Sequence, residues 1–123
     1  MSIFQILNII GAIATIGMGC LGLFAPHAAS RFTGLNASNK TAFAEFRATF
    51  GGMFVVMGLI PLLTNEPLTY FMAGLVWLGA AAGRVVSIIL DKGFNEPKNV
   101  GGVAFEAAFG LLLLAGSSLI WPR

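Results

Sequence analysis

The chain has 123 residues, of which 57 % are hydrophobic and 10 % charged, and its mean hydropathy is +0.87. A soluble domain of this size needs a polar surface that such a composition does not supply, so a lipid bilayer is the expected solvent. The seven Lys and Arg residues are spread along the chain without a basic stripe, which disfavours nucleic acid as a partner. The length predicts a single domain over residues 1–123.

Four apolar segments follow one another along the chain, at about residues 3–24, 41–63, 68–90 and 100–121. Each is long enough for a helix across a hydrocarbon core of about 30 Å, which takes about 20 residues. The period-two alternation that marks a membrane strand is absent. The sequence therefore predicts an all-α fold, an integral membrane bundle of four transmembrane helices with short loops and no soluble domain.

Lysine and arginine are unequally distributed over the connecting loops. The first and third loops carry Arg31, Lys40, Lys92 and Lys98, whereas the second loop has none. By the positive-inside rule, the first and third loops face the cytoplasm and both termini lie outside. The expected location is a cytoplasmic membrane.

Four ionisable residues lie inside the predicted helices: Glu45 and Arg47 in the second, Arg84 in the third and Glu106 in the fourth. At 1.5 Å per residue, all four are about 6 to 10 Å from the helix end at the first or third loop. They therefore share one leaflet. A lone charge near a helix centre costs about 2.5 to 3.5 kcal/mol. We therefore predict that Arg84 pairs with Glu106 and that the other two residues complete a polar cluster.

Ser87 and Asp91 recur three and seven residues after Arg84, on the same face of the third helix. They extend the predicted cluster toward the end of that helix. The cluster admits three interpretations. It locks the register of the helices, it forms a site for a ligand or a proton, or it anchors the helix ends at the interface.

The second and third predicted helices each contain a pair of glycines. Gly51 and Gly52 are adjacent in the second helix, and Gly79 and Gly83 enclose three alanines in the third. Small residues let membrane helices approach closely, so these four glycines are predicted to lie at helix-packing surfaces.

Metal and cofactor chemistry have little support in the sequence. Cys20 is the single cysteine and His27 the single histidine, so no metal site is expected. The sequence contains no phosphate-binding loop, dinucleotide-binding turn or nucleophile motif, and no cofactor is expected.

Several short stretches together resemble one protein family. They are "LFAP", "GLN", "AEFRATFGGMF", "GRVVSIILDKG" and "FEAAFGLLLL". This combination resembles the bacterial membrane-protein family called domain of unknown function 4345, over essentially the whole chain. The resemblance implies a four-helix membrane bundle in a bacterial inner membrane, and it supplies no activity. The positions that match the family pattern are Glu45, Arg47, Gly51, Gly52, Gly83, Arg84, Asp91 and Glu106.

Three classes of function agree with these features. The first is an accessory or assembly subunit that packs laterally in a larger membrane complex or homo-oligomer, with membrane lipids as further partners. The second is a small carrier or binder of a lipid-like or anionic ligand that uses the Glu/Arg cluster. The third is a membrane enzyme that uses a glutamate in acid–base chemistry, although no nucleophile or cofactor motif accompanies that glutamate. The first class is preferred.

Overall fold

The computed structural model describes residues 2–117. Over these residues the chain forms five helices, with no strand among them, so the all-α prediction is confirmed. The helices are α1 (Ile3–Phe24), α2 (Pro26–Thr33), α3 (Lys40–Thr64), α4 (Pro67–Leu90) and α5 (Pro97–Leu114).

Three of the helices, α1, α3 and α4, are long and apolar enough to cross a membrane by length and composition. They coincide closely with the first three predicted segments. The fourth segment differs, because α5 begins at Pro97 and ends at Leu114 rather than covering 100–121. Its polar first turn with Lys98 lowers its hydropathy, as does Glu106 further along. The described chain therefore has five helices, three of them of membrane length, where the sequence predicted four; residues 118–121 of the predicted fourth segment lie outside the described range.

The first predicted loop is not a plain connection, because α2 occupies half of it. Pro26 stands in the first turn of α2, where its missing N–H removes no helical hydrogen bond. Gly34 ends α2 with φ of 79°, a left-handed conformation that favours glycine. The helix α3 then begins after Asn39, whose Oδ1 accepts a hydrogen bond from the Ala42 N–H at 2.8 Å.

The chain divides into two compact units. The hairpin unit comprises Met1–Gly11 and Asn65–Arg123, and the N-proximal unit comprises Ala12–Thr64. The helices α4 and α5 belong to the first, and α2 and α3 to the second. The prediction of a single domain over residues 1–123 stays a prediction.

In the hairpin unit, α4 and α5 run antiparallel and pack along one face of each helix. Their backbones come close together where two glycines meet, since a Cβ at Gly110 would lie 3.1 Å from the Gly74 carbonyl oxygen. Next to this point, the ring of Trp77 lies edge-on to that of Phe109, with centroids 4.8 Å apart. Phe105 stacks on Phe109 at 4.4 Å. Small residues and aromatic rings together hold the two helices in one register.

In the N-proximal unit, α3 and the part of α1 that follows Gly11 are brought together by glycines. A Cβ at Gly51 of α3 would lie 2.8 Å from the Leu23 backbone nitrogen of α1. This glycine belongs to a π-helical turn, Ala48–Gly52, that interrupts α3. Such a turn adds a residue to the helix and changes the face on which the following side chains lie.

Candidate functional site

Arg84 and Glu106 form an ion pair between α4 and α5 in the hairpin unit. The carboxylate oxygen Oε1 of Glu106 accepts from Arg84 Nη2 at 2.6 Å and from Arg84 Nε at 3.0 Å. The Glu106 side chain is 9 % exposed and the Arg84 side chain 34 % exposed. The predicted pairing is therefore present, with its acid deeply buried and its base nearer the surface.

The ion pair uses only one oxygen of the carboxylate, because both guanidinium nitrogens donate to Oε1 of Glu106. The second oxygen, Oε2 of Glu106, is buried and has no hydrogen-bond partner among the described residues. A buried carboxylate in this arrangement depends on a single arginine for its compensation. Removal of that arginine therefore leaves an uncompensated charge inside the hairpin.

Gly102, one turn before Glu106 on α5, makes room for the arginine. A Cβ at this position would lie 2.6 Å from Arg84 Nε and 2.8 Å from Arg84 Cζ. Real Cβ atoms do not approach other atoms so closely, so any larger residue displaces the guanidinium. The glycine thus belongs to the site although it carries no side chain.

Gly102→Ala is expected to lower the free energy of unfolding by about 1 to 3 kcal/mol, because it pushes Arg84 away from Glu106. Gly101→Ala is the matched control, since a Cβ at Gly101 meets nothing within 4 Å. The control gains the helix propensity of alanine and should be neutral or slightly stabilising. Unfolding by sodium dodecyl sulfate titration, followed by circular dichroism in detergent, measures both. Equal stability of the two variants would contradict the packing of Arg84 against Gly102.

Ser87 and Asp91 lie nearby on α4 but pair with each other. Ser87 Oγ donates to Asp91 Oδ2 at 2.7 Å, and the Asp91 N–H donates to the Ser87 carbonyl oxygen at 2.8 Å. Both residues are exposed at the end of the helix. In the described chain they close the last turn of α4 rather than contact the ion pair.

Glu45 and Arg47 belong to the N-proximal unit and have separate partners there. Thr49 Oγ1 donates to Glu45 Oε2 at 3.2 Å, within the same helix. Arg47 Nη1 donates to the Leu23 carbonyl oxygen at 2.5 Å, near the end of α1. Each of these two residues thus has a partner inside its own unit, and the larger cluster of four charges stays a prediction.

The four glycines predicted to lie at packing surfaces have different surroundings. Gly51 contacts the backbone of α1 at Leu23, as described above. The nearest atom to a Cβ at Gly52 is the Arg47 carbonyl oxygen of its own helix, at 3.8 Å. A Cβ at Gly79 or Gly83 would meet nothing within 4 Å in the described chain. The last two glycines are exposed and leave a shallow surface on α4.

Sequence reasoning missed several glycines that pack against other parts of the chain. Gly102 accommodates the arginine, and Gly74 and Gly110 form a close approach of α4 and α5. The available signal was helical spacing, because Gly74, Trp77 and Ala81 share one face of α4 at i, i+3 and i+7. This spacing shows which residues share one face of α4. The whole face can therefore be assigned to the core once one of its residues is known to be buried.

The fold and the ion pair define a class of protein: an all-α chain with three helices of membrane length and a charge pair buried in a helical hairpin. The family model described as Domain of unknown function (DUF4345) matches residues 3–117. This match covers nearly the whole sequence, so the chain belongs to that family. Neither a curated protein nor a solved structure matches the chain.

Proposed function

We propose that this chain is an accessory or assembly subunit that packs laterally in a larger membrane complex. The main support for the proposal is a pair of glycines on α4 that no other part of the described chain covers; we call them the open glycines. Gly79 and Gly83 are exposed, and a Cβ built at either position meets nothing within 4 Å in the described chain. Glycines four residues apart on an apolar helix are a motif at which two membrane helices approach closely.

The open glycines lie in the middle of a continuous apolar surface, which we call the outer face of α4. At 100° per residue, this face is opposite the buried residues Tyr70, Trp77 and Ile88. It consists of Gly79, Gly83 and the exposed side chains Leu68, Met72, Val76, Val86 and Leu90.

Contact with lipid alone does not explain these glycines. A glycine in a helix costs about 1 kcal/mol relative to alanine, and a lipid-facing position gains nothing in return. The close approach of another transmembrane helix offsets this cost, because it brings backbone atoms into van der Waals contact. We therefore assign the outer face of α4 to a transmembrane helix of another subunit.

The ion pair supports this role by fixing α4 before assembly. Arg84 and Glu106 connect α4 to α5 on a different face of α4 from the open glycines. A surface that is already rigid loses little conformational freedom when a partner binds. The pair thus acts as a structural lock for the hairpin, and the outer face of α4 is the surface that it presents.

The assembly test uses bulky residues at the open glycines. Gly79→Ile and Gly83→Ile, combined in one tagged chain, are expected to reduce the recovery of the partner at least about tenfold, because the partner helix can no longer approach. Co-purification in mild detergent measures this recovery, and a second tag distinguishes another copy of the chain from a different protein. Gly17→Ile is the matched control, since Gly17 is exposed and open on α1. A wild-type chain that purifies as a monomer without a partner would overturn the proposal.

The proposed topology has four spans, in a cytoplasmic membrane. The 18 residues of α5 extend about 27 Å at 1.5 Å per residue, close to a hydrocarbon thickness of about 30 Å. Pairing with Arg84 also removes the main obstacle to placing Glu106 in the bilayer. With four spans, the basic first and third loops face the cytoplasm and both termini lie outside.

Alkaline phosphatase fused after Arg123 is expected to be active, because the enzyme folds only outside the cytoplasm and the C-terminus is proposed to lie there. A fusion of the same enzyme within the third loop, after Lys92, serves as the control and should be silent. The reverse pattern, with the C-terminal fusion silent and the loop fusion active, would overturn the orientation. Silence of both fusions would place the C-terminus in the cytoplasm and show that α5 does not span.

A further inference from the structure

A cleft in the N-proximal unit combines positive charge with aromatic surface. It lies where α1 ends, α2 begins and the second turn of α3 passes, and its volume is about 570 Å³. Arg31 of α2, Arg47 of α3 and His27 line it, together with the rings of Phe24 and Phe43. Ligand pockets commonly have volumes of about 300 to 1,000 Å³, so the cleft is large enough for a small headgroup.

Among the residues that the structure describes, no acidic side chain lines this cleft. Within residues 12–64 the sequence has one acidic residue, Glu45, against the three basic residues Arg31, Lys40 and Arg47. Glu45 accepts the hydrogen bond from Thr49 and does not line the cleft. The lining of the cleft therefore has a net positive charge, which favours an anionic ligand.

The position of Arg47 is fixed by the end of α1. Its Nη1 donates to the Leu23 carbonyl oxygen, one of the carbonyls that the last turn of a helix leaves without a partner. Arg47 makes no other bond among the described residues, so Nε and Nη2 keep their donor capacity. A guanidinium held by one of its nitrogens and open at the others is suited to bind phosphate oxygens.

The aromatic wall indicates that the anion belongs to an amphiphile. Phe24, the last residue of α1, is 73 % exposed, and α1 is a helix of membrane length. The ring of Phe43 lies edge-on to that of His27, with centroids 4.8 Å apart. A helix of this length leaves the hydrocarbon region near its end, so the cleft is at the level of lipid headgroups. A free phosphate ion gains nothing from such an apolar wall.

We infer that this cleft binds the phosphate headgroup of an anionic membrane lipid. Arg31 and Arg47 bind the phosphate oxygens, and Phe24 and Phe43 contact the first carbons of the lipid. The inference is independent of the proposed lateral assembly, because that proposal depends on Gly79 and Gly83 of α4.

Native mass spectrometry of the full chain, released from detergent with added lipid, tests this inference. Titration with phosphatidylglycerol is expected to show one saturable bound lipid, and phosphatidylcholine at the same concentration is expected to bind at least about tenfold more weakly.

Arg31→Gln and Arg47→Gln should each weaken phosphatidylglycerol binding about tenfold, since each removes a charge-assisted bond. Lys40→Gln is the matched control, because it removes an exposed charge of the same unit that does not line the cleft, and it should change binding less than about twofold.

Three results would overturn the inference. The first is an equal loss of binding in Lys40→Gln, which shows general attraction to a basic surface. The second is equal binding of phosphatidylcholine. The third is displacement of phosphatidylglycerol by inorganic phosphate at a similar concentration, which shows that the ligand is a free anion. If Arg47→Gln disturbs folding through its bond to Leu23, Arg31→Gln on the separate helix α2 decides the outcome.

Discussion

Arg84→Met is expected to lower the free energy of unfolding by about 3 kcal/mol, because it leaves the buried carboxylate of Glu106 without its arginine. Glu106→Gln is expected to cost less, about 2 kcal/mol. In that variant the remaining charge is on Arg84, which is 34 % exposed and can extend its long side chain toward the headgroups. The carboxylate has no such route, since its Oε2 is already buried without a partner in the part of the chain that the structure describes.

The double variant Arg84→Met, Glu106→Gln is expected to recover much of the loss, because a neutral pair replaces a buried ion pair at little cost. Unfolding by dodecyl sulfate titration measures all three variants under the same conditions. Ser87→Ala and Asp91→Asn serve as matched controls from the exposed pair on the same helix, and each should change stability by less than about 1 kcal/mol.

Strict additivity of the two single changes would contradict direct pairing of Arg84 and Glu106. Unchanged stability in both single variants would instead remove the locking role. The ion pair would then be better explained as a site for a ligand or a proton, the second interpretation that the sequence allows.

The membrane-length helices and the ion pair could be predicted because neither requires knowledge of how the helices pack in detail. An uninterrupted apolar run from Ile3 to Phe24 predicts α1 by length alone. Arg84 and Glu106 are matched in depth along two consecutive helices, and opposite charges at equal depth have a strong reason to pair. Both inferences need only the positions of residues along their own helix.

The role of Gly102 could not be predicted, because it depends on a side chain from another helix. Only the position of the Arg84 guanidinium shows that a Cβ on Gly102 would collide with it. The same limit applies to the glycine spacing in α4. Gly79 and Gly83 have the spacing of a packing motif, yet Gly74 is the glycine of α4 that meets α5. Sequence spacing identifies a helix face without identifying which neighbour covers it.

The short helix α2 and the end of α5 were missed for a different reason. The eight residues of α2 mix apolar, basic and small side chains, and a helix of two turns has little propensity of its own to form. The apolar run of the fourth predicted segment continues past Leu114, where α5 ends. Hydropathy measures how strongly a segment prefers lipid to water. It contains no information about the residue at which the helix ends.

The approach of α1 to α3 in the N-proximal unit predicts a large effect for one added methyl group. Gly22→Ala is expected to lower the free energy of unfolding by about 3 kcal/mol, because the new Cβ would lie 2.3 Å from the Phe50 carbonyl oxygen. A backbone carbonyl cannot rotate away as a side chain can, so the two helices must separate.

The same separation would also stretch the hydrogen bond from Arg47 to the carbonyl oxygen of Leu23, which is the residue next to Gly22. Gly58→Ala, whose Cβ would lie 2.5 Å from the Ala12 carbonyl oxygen, should have a similar effect at the other end of the contact. Gly17→Ala is the matched control on α1, because its Cβ meets nothing within 4 Å and alanine favours the helix. Dodecyl sulfate titration of the three variants measures the differences. If Gly22→Ala proves as stable as Gly17→Ala, α1 and α3 do not approach at this glycine, and the geometry that fixes Arg47 beside the cleft is wrong.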